Sequence, residues 1–294
     1  MSAGRSPATG RRYGIERVCR ITGYPRSTFY TKREARKAVA RKRGPTPSIT
    51  DEQLLAVIKE DLANSPFSGE GYRKVWARLK YGQGWRISRK RVLRVMRDNN
   101  MLSPSRRPQG EVNLHTGEIV TKSPNEMWGV DGTKVFTLEE GYAWIFTAVE
   151  HWNGECVGVH VSKTGDRFAA MEPVLTGIRN QFGPPGSDVA RGLSLRMDHG
   201  SQYLSDHFQK QIKFFGIAPS FAFLREPETN GVAERFFRTL KEQAIYGKTF
   251  RNVEELRTAV VEFVGCYNRK WRLEKTGFMS PFEARKAYEA RLAA

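Results

Sequence analysis

The chain has 294 residues, of which 39% are hydrophobic, so it is long enough for two or three domains with cores of ordinary size. Its three cysteines lie far apart, and neither they nor the five histidines show metal-ligand spacing, which argues against a disulfide framework and a zinc module. No stretch resembles a signal peptide or a membrane span. We therefore expect a cytoplasmic protein with no membrane partner.

The excess positive charge is concentrated in the first part of the chain. The formal net charge is +18, but residues 1–120 hold 26 Lys and Arg against 10 Asp and Glu, whereas residues 121–294 hold 23 against 21. This asymmetry is expected of a DNA-binding module attached to a nearly neutral catalytic domain. The alternative is a solubilising basic tail, but the basic residues alternate with apolar residues and do not form a low-complexity run.

A helix-turn-helix pattern occupies the beginning of the chain. A helical apolar pattern is interrupted at Gly23, and Pro25 suits the first turn of a second helix. The second helix begins with polar and basic residues, including Arg26 and Ser27, which would meet base edges and phosphates in a recognition helix. An ordinary pair of packed helices is the alternative interpretation.

A second helical module follows a basic, proline-containing linker at residues 40–48. Thr50, followed by acidic residues, is an N-cap signature. Further on, Ser88 is predicted to cap a helix that starts Arg89-Lys90-Arg91, and three cations in a first turn oppose the helix macrodipole. A DNA phosphate would offset that electrostatic cost, and a solvated basic face is the alternative.

The pattern changes from helical to strand-rich near residue 119. Strands are predicted over residues 127–136, 143–149, 155–161, 193–197 and 217–222. Helices are predicted over residues 166–182 and 206–215, from Gly231 onward, and over 254–267 and 281–290. This order of elements is compatible with an α/β domain followed by further helices.

Three carboxylates stand out in this second part. Asp131 interrupts a strand, where a charge is costly unless it is paired or binds a cation. Asp198 follows the apolar run 193–197, and Glu234 lies near the start of a helix after 35 intervening residues. If the fold brings the three together they repel one another, so the cluster requires a divalent metal, and hard oxygen ligands suit Mg²⁺ or Mn²⁺.

The residues around these carboxylates form three motifs with a family resemblance. The chain resembles the DDE integrase and transposase superfamily and, within it, the OrfB-type transposases of the bacterial IS-three insertion-sequence family. The motifs are W-x-x-D-x-T, D-x-G-x-x-Y-x-S and N-G-x-x-E, which correspond here to Trp128, Asp131 and Thr133; Asp198, Gly200, Tyr203 and Ser205; and Asn230, Gly231 and Glu234.

The resemblance implies both a fold and an activity. It implies an RNase H-like α/β catalytic domain, the integrase core, preceded by all-α helix-turn-helix DNA-binding modules. The domains would be residues 1–45, 46–103, 119–250 and 251–294, the last being C-terminal helices. Asp131, Asp198 and Glu234 would be the catalytic residues and the ligands of two Mg²⁺ or Mn²⁺ ions.

The resemblance also implies partners for such an enzyme. It would cleave one DNA strand at an element end and join the 3′-hydroxyl to target DNA. Its substrates would be terminal inverted repeats and target DNA, and it would act as a homodimer or larger synaptic assembly at the bacterial nucleoid. An OrfA protein or fusion is a further expected partner.

The helix that carries Glu234 also carries candidate DNA-binding cations. Lys241 lies seven residues further on, about two turns and roughly 10 Å along the same face. Arg238 shares that face, and its alternative role is an intrahelical ion pair with Glu234. Two features depart from the family pattern: Arg235 replaces the usual serine, and Trp271-Arg272-Leu273 replaces the usual arginine and histidine.

Two rival functions remain open at this stage. One is a catalytically inactive DNA-binding regulator of transposition, although the presence of all three carboxylates argues against it. The other is an RNase H-like nuclease that cuts DNA without joining it, which only the reaction products would distinguish.

Overall fold

The computed structural model describes residues 4–37, 49–103, 119–222 and 231–293. It divides into two compact units, Met1–Thr50 and Asp51–Ala294. The predicted linker at 40–48, and Asn230 of the N-G-x-x-E motif, lie outside the described residues.

The first unit contains the predicted pair of helices. Helix α1 spans Ile15–Thr22 and α2 spans Arg26–Lys37. Between them Gly23 adopts a left-handed conformation with φ of 64°, a region that glycine enters without steric cost. Pro25 lies one residue before α2, so it precedes the first turn and does not belong to it.

The second unit begins with a small helical module. It contains helix α3 (Asp51–Asn64), helix α4 (Tyr72–Ala77), a π-helical turn at Arg78–Gly82 and helix α5 (Arg89–Asp98). Its polar centre is Arg78, which donates to Asp61 at 3.0 Å and to Glu70 at 2.5 Å. The predicted cap of α5 is confirmed, because the Ser88 hydroxyl accepts a hydrogen bond from the Arg91 N–H at 3.3 Å.

The described residues after 119 form a five-stranded mixed sheet of order β3-β2-β1-β4-β5. Strand β1 pairs antiparallel with β2 and parallel with β4, β2 pairs antiparallel with β3, and β4 pairs parallel with β5. The elements are β1 (Met127–Thr137), β2 (Gly141–Glu150), β3 (Cys156–Ser162), α6 (Arg167–Gln181), β4 (Ser194–Met197), α7 (Ser201–Leu204), α8 (Asp206–Phe214), β5 (Ala218–Phe221), α9 (Gly231–Leu240), α10 (Val253–Lys270) and α11 (Pro281–Ala293).

Helices cover both faces of the sheet, so the core has two layers. Helices α6 and α8 pack on one face, and α9 and α10 pack on the other. The approach of α6 is close: a Cβ built on Gly158 of β3 would lie 1.9 Å from the carbonyl oxygen of Pro173 in α6. A glycine at position 158 is therefore what allows the helix to approach the sheet at this distance.

The helical module packs against the C-terminal part of the same unit. The Ser68 N–H donates to Gln243 Oε1 at 2.9 Å, and Gln243 Nε2 donates back to the Ser68 carbonyl at 3.0 Å. The Trp271 ring contacts the Phe67 ring edge-on at 4.8 Å and stacks on Tyr267 at 5.9 Å. A residue that departs from the family pattern thus has a packing role at this contact.

Helix α11 is held to the end of the sheet by a buried arginine. Arg285 Nε donates to Glu155 Oε2 at 2.5 Å, and its guanidinium lies 3.6 Å from Glu150. Among the described residues, no helix is both long enough and apolar enough to cross a membrane.

Candidate active site

Two predicted site residues are brought side by side by the pairing of β1 with β4. These strands run parallel, and the last pair in register is Gly129 with Arg196. Asp131 and Asp198 each lie two residues beyond that pair. Because parallel strands advance by the same distance per residue, both aspartates are at the same level, at the end of β4.

The electrostatics of Asp131 show which other groups are close to it. Burial and, to a smaller extent, the negative charges of Asp198 and Glu234 raise the pKa of its carboxyl from 3.8 to about 6. The Gly132 N–H, which donates to Asp131 Oδ1 at 2.7 Å, and the positive charge of Lys241 oppose this rise. The predicted triad and Lys241 therefore act on one another through a common field.

Asp198 is exposed and its carboxylate is oriented by a local turn. The Gly200 N–H donates to Asp198 Oδ1 at 2.9 Å. A Cβ built on Gly200 would lie 2.9 Å from that same oxygen and 2.5 Å from Gln202 Nε2. The glycine of the D-x-G motif thus allows the chain to turn tightly around the carboxylate before α7 begins.

Glu234 is placed by the amphipathic helix α9. Phe236, Phe237 and Leu240 of this helix are buried in the core on the α9–α10 side of the sheet. Glu234 lies in the first turn on the exposed side, together with Arg238, while Lys241 follows at the end of α9 and is half-buried.

The donor chemistry of this site fits a divalent cation. Within the described residues, no three His, Cys, Asp or Glu side chains are already close enough to hold a metal ion. The negative charges of Asp198 and Glu234 nevertheless act on Asp131 and, after burial, contribute to the rise of its pKa. A hard divalent cation with oxygen ligands would relieve that repulsion.

The predicted DNA-binding residues of the helical module already have intramolecular partners. Arg89 lies 3.2 Å from Glu274, and Arg91 lies 2.9 Å from Asp51. Lys90, between them, is exposed. The cost of three cations in the first turn of α5 is thus offset partly by two carboxylates that lie far from α5 in the sequence.

The predicted recognition helix of the first unit is exposed at its start. Arg26 lies 3.6 Å from Glu16 of α1 and packs over the ring of Tyr30 at 5.9 Å. Ser27 is exposed beside it.

Sequence reasoning missed one residue at the site. Thr147 of β2 lies directly opposite Asp131 in the antiparallel register and is fully buried. Its signal in the sequence is a lone hydroxyl in the otherwise apolar run from Ala143 to Val149. The sequence does not show that Thr147 is a neighbour of Asp131, because that depends on the register between β1 and β2.

The sequence matches three known protein-family profiles. Profiles described as integrase core domain match residues 121–227 and 234–287, and a profile described as HTH-like domain matches residues 50–109. The chain belongs to the DDE transposases of the IS-three insertion-sequence family. The two integrase-core matches include all three predicted carboxylates.

Named relatives of this transposase are themselves insertion-sequence transposases. It is 28% identical over 233 residues to the transposase for insertion sequence element IS629 of Shigella sonnei, covering 75% of each chain. It is 25% identical over 286 residues to the putative transposase InsK for IS150 of Escherichia coli, covering 93% of this chain and 94% of the relative. It is 31% identical over 190 residues to the transposase InsD of IS2 elements of the same species, covering 60% of each.

Among solved structures, the catalytic core domain of BIV integrase is similar at 22% identity and a TM-score of 0.41, over 58% of this chain and 99% of that one.

Proposed function

We propose that Asp131, Asp198 and Glu234 are the catalytic carboxylates of this transposase and hold two Mg²⁺ or Mn²⁺ ions. The observation that supports this assignment is the field at Asp131, where burial and the charges of Asp198 and Glu234 together raise the pKa to about 6. A carboxylate that is buried among like charges is stable as an anion only beside a cation.

In this proposal the chain orients the ligands and the DNA. When bound, the two cations would lower the pKa of an attacking water or DNA 3′-hydroxyl and stabilise the leaving oxygen. The Gly132 and Gly200 N–H groups each fix one oxygen of Asp131 and Asp198. Lys241 places a positive charge beside the triad, where it would hold a phosphate of the DNA end.

The DNA substrates would be the terminal inverted repeats of the element and a target duplex. The helix-turn-helix domain over residues 1–45 would contact DNA through Arg26 and Ser27, and the module over residues 46–103 through Arg89, Lys90 and Arg91. In the catalytic domain, over residues 119–250, Arg238 would contact DNA beside Lys241. The C-terminal helices, over residues 251–294, would pack against the catalytic domain and stabilise it.

We further propose that the transposase acts as a homodimer or larger synaptic assembly at the nucleoid in the bacterial cytoplasm. Two element ends must be joined in one reaction, which requires two copies of the DNA-binding modules. An OrfA protein or fusion would add a further DNA-binding segment.

A strand-transfer assay tests the proposed function. The substrate is labelled duplex DNA that carries the inverted repeat from the flanks of the gene, incubated with Mg²⁺ or Mn²⁺. Glu234→Gln removes one ligand charge, and Glu262→Gln makes the same change on an exposed carboxylate of α10. We expect joined products with the wild type and Glu262→Gln, and none with Glu234→Gln or with EDTA.

The other outcomes identify the rival functions. Metal-dependent cleavage without joined products would indicate a nuclease. Salt-sensitive binding without cleavage in any variant would indicate a regulator or a missing OrfA portion, and adding the OrfA protein distinguishes these two.

A further inference from the structure

Two buried hydroxyl groups next to the triad make no hydrogen bond within the described residues. They are Thr147 Oγ1 and the phenolic oxygen of Tyr203, and both side chains are inaccessible to solvent. A buried hydroxyl without a partner is unusual, because each loses its bonds to water on folding. We therefore looked for a hydrogen-bond partner that each hydroxyl could gain when the site binds a ligand.

Within the sheet, the polar side chain beside Thr147 is that of Asp131. Across the sheet its neighbours are Asp131 on β1 and Val159 on β3. Along its own strand, the residues on the same face are Ile145 and Val149, both in the apolar core. Directly opposed residues of an antiparallel pair have Cβ atoms about 5 Å apart, so the Asp131 carboxylate is within reach of the Thr147 hydroxyl.

Tyr203 lies on α7, five residues after Asp198, with its ring in the core on the α6–α8 side of the sheet. Its ring packs edge-on against Phe208 at 5.3 Å, which fixes its direction. Burial and the charges of Asp131 and Asp198 raise the pKa of its hydroxyl. The Gln202 side chain lowers that pKa but does not meet the geometry of a hydrogen bond with the hydroxyl.

Comparable hydroxyls elsewhere in this unit are satisfied. Thr137, on β1 and also fully buried, donates to the Gly141 carbonyl at 2.8 Å. Tyr267, buried on α10, donates to the Gly154 carbonyl at 3.0 Å. The fold therefore provides partners for buried hydroxyls of the same types. Among the described residues, the two that lack them are Thr147, which is paired opposite Asp131, and Tyr203, whose hydroxyl is close enough to Asp131 and Asp198 for their charges to act on it.

We propose that Thr147 and Tyr203 are positioning residues for the metal ligands of this transposase. Their hydroxyls hydrogen-bond to the Asp131 and Asp198 carboxylates, or to metal-bound water, in the metal-bound state, and so hold the ligands in their binding orientation. Groups behind metal ligands commonly orient them in this way, and losing one lowers metal affinity by about 10- to 100-fold. The inference rests on the proposed metal-binding role of Asp131 and Asp198.

Metal affinity of the full chain tests the proposal without relying on activity. Thr147→Val and Tyr203→Phe each remove one hydroxyl, and Thr137→Val and Tyr267→Phe remove hydroxyls that are already bonded. Mn²⁺ binding is measured by titration calorimetry, and the melting temperature is measured without metal. We expect about 10-fold weaker Mn²⁺ binding in Thr147→Val and Tyr203→Phe, with melting temperatures equal to or above the wild type.

The two matched controls should show the opposite pattern. They lose a native hydrogen bond, so we expect lower melting temperatures and an unchanged Mn²⁺ affinity. Wild-type Mn²⁺ affinity in both Thr147→Val and Tyr203→Phe would overturn the inference. Asp131→Asn separates the two proposals: if it abolishes Mn²⁺ binding while both hydroxyl variants bind normally, only the inference fails, whereas absence of wild-type binding overturns both.

Discussion

The buried charge of Asp131 should make the metal-free protein less stable at neutral pH. The pKa of Asp131 rises from 3.8 to about 6 in the folded state. A rise of this size corresponds to about 3 kcal/mol between the protonated and ionised forms. Asp131→Asn keeps the shape of the side chain and an oxygen that can accept from the Gly132 N–H, but it removes the charge. We therefore expect the variant to be the more stable protein at neutral pH.

The effect should depend on pH with a defined sign. At pH 4 the carboxyl is almost fully protonated in the folded state, so the wild type and Asp131→Asn differ by only about 0.5 kcal/mol, and by less at lower pH. Between about pH 4 and 6 the unfolded chain releases this proton while the folded protein retains it, so the wild type loses stability as the pH rises. Above pH 6 the whole difference of about 3 kcal/mol is present.

Urea unfolding in EDTA at pH 4 and at pH 7.5 measures this difference. Asp206→Asn makes the same change on an exposed carboxylate, so its effect should stay below about 1 kcal/mol at both pH values. A difference between Asp131→Asn and wild type that does not grow between the two pH values would refute the electrostatic account of the site. Divalent metal should stabilise the wild type and leave Asp131→Asn nearly unchanged.

Two further predictions concern packing and charge. In Gly158→Ala the new methyl would meet the Pro173 carbonyl, a backbone atom that cannot turn away, so unfolding should require about 3 kcal/mol less. Gly186→Ala, which meets no atom within 4 Å, is the urea-unfolding control, and equal effects would contradict the close approach. Glu274→Gln releases Arg73 and Arg89 from half-exposed ion pairs, so it should change stability by under about 1 kcal/mol. It should also tighten DNA binding at low salt, measured by fluorescence anisotropy; unchanged affinity would exclude a DNA contact by these arginines.

The elements and the carboxylate positions could be predicted from the sequence because they depend on local patterns. Strand and helix periodicity placed Asp131 within β1, Asp198 just after β4 and Glu234 in the first turn of α9. The cap of α5 by Ser88 was predictable for the same reason, because a cap depends on residues within one turn. The short helix α7 was not predicted, since four residues carry too little periodicity to detect.

The partners of these residues were decided by the tertiary structure. Thr147 became a neighbour of Asp131 through the register of two strands, which a shift of one residue would have reversed. Arg89 and Arg91, expected to meet phosphates, lie against Glu274 and Asp51, residues far away in sequence.

Trp271, which departs from the family pattern, also shows the difference between what the sequence predicts and what the tertiary structure decides. In the sequence, Trp271-Arg272-Leu273 replaces the usual arginine and histidine, whereas in the structure the Trp271 ring packs between Phe67 of the helical module and Tyr267 of α10. Local pattern determines which residues form a helix or a strand, because those preferences act over a few residues. Contacts between residues about 200 positions apart depend on how whole elements pack, and no short stretch of sequence contains that information.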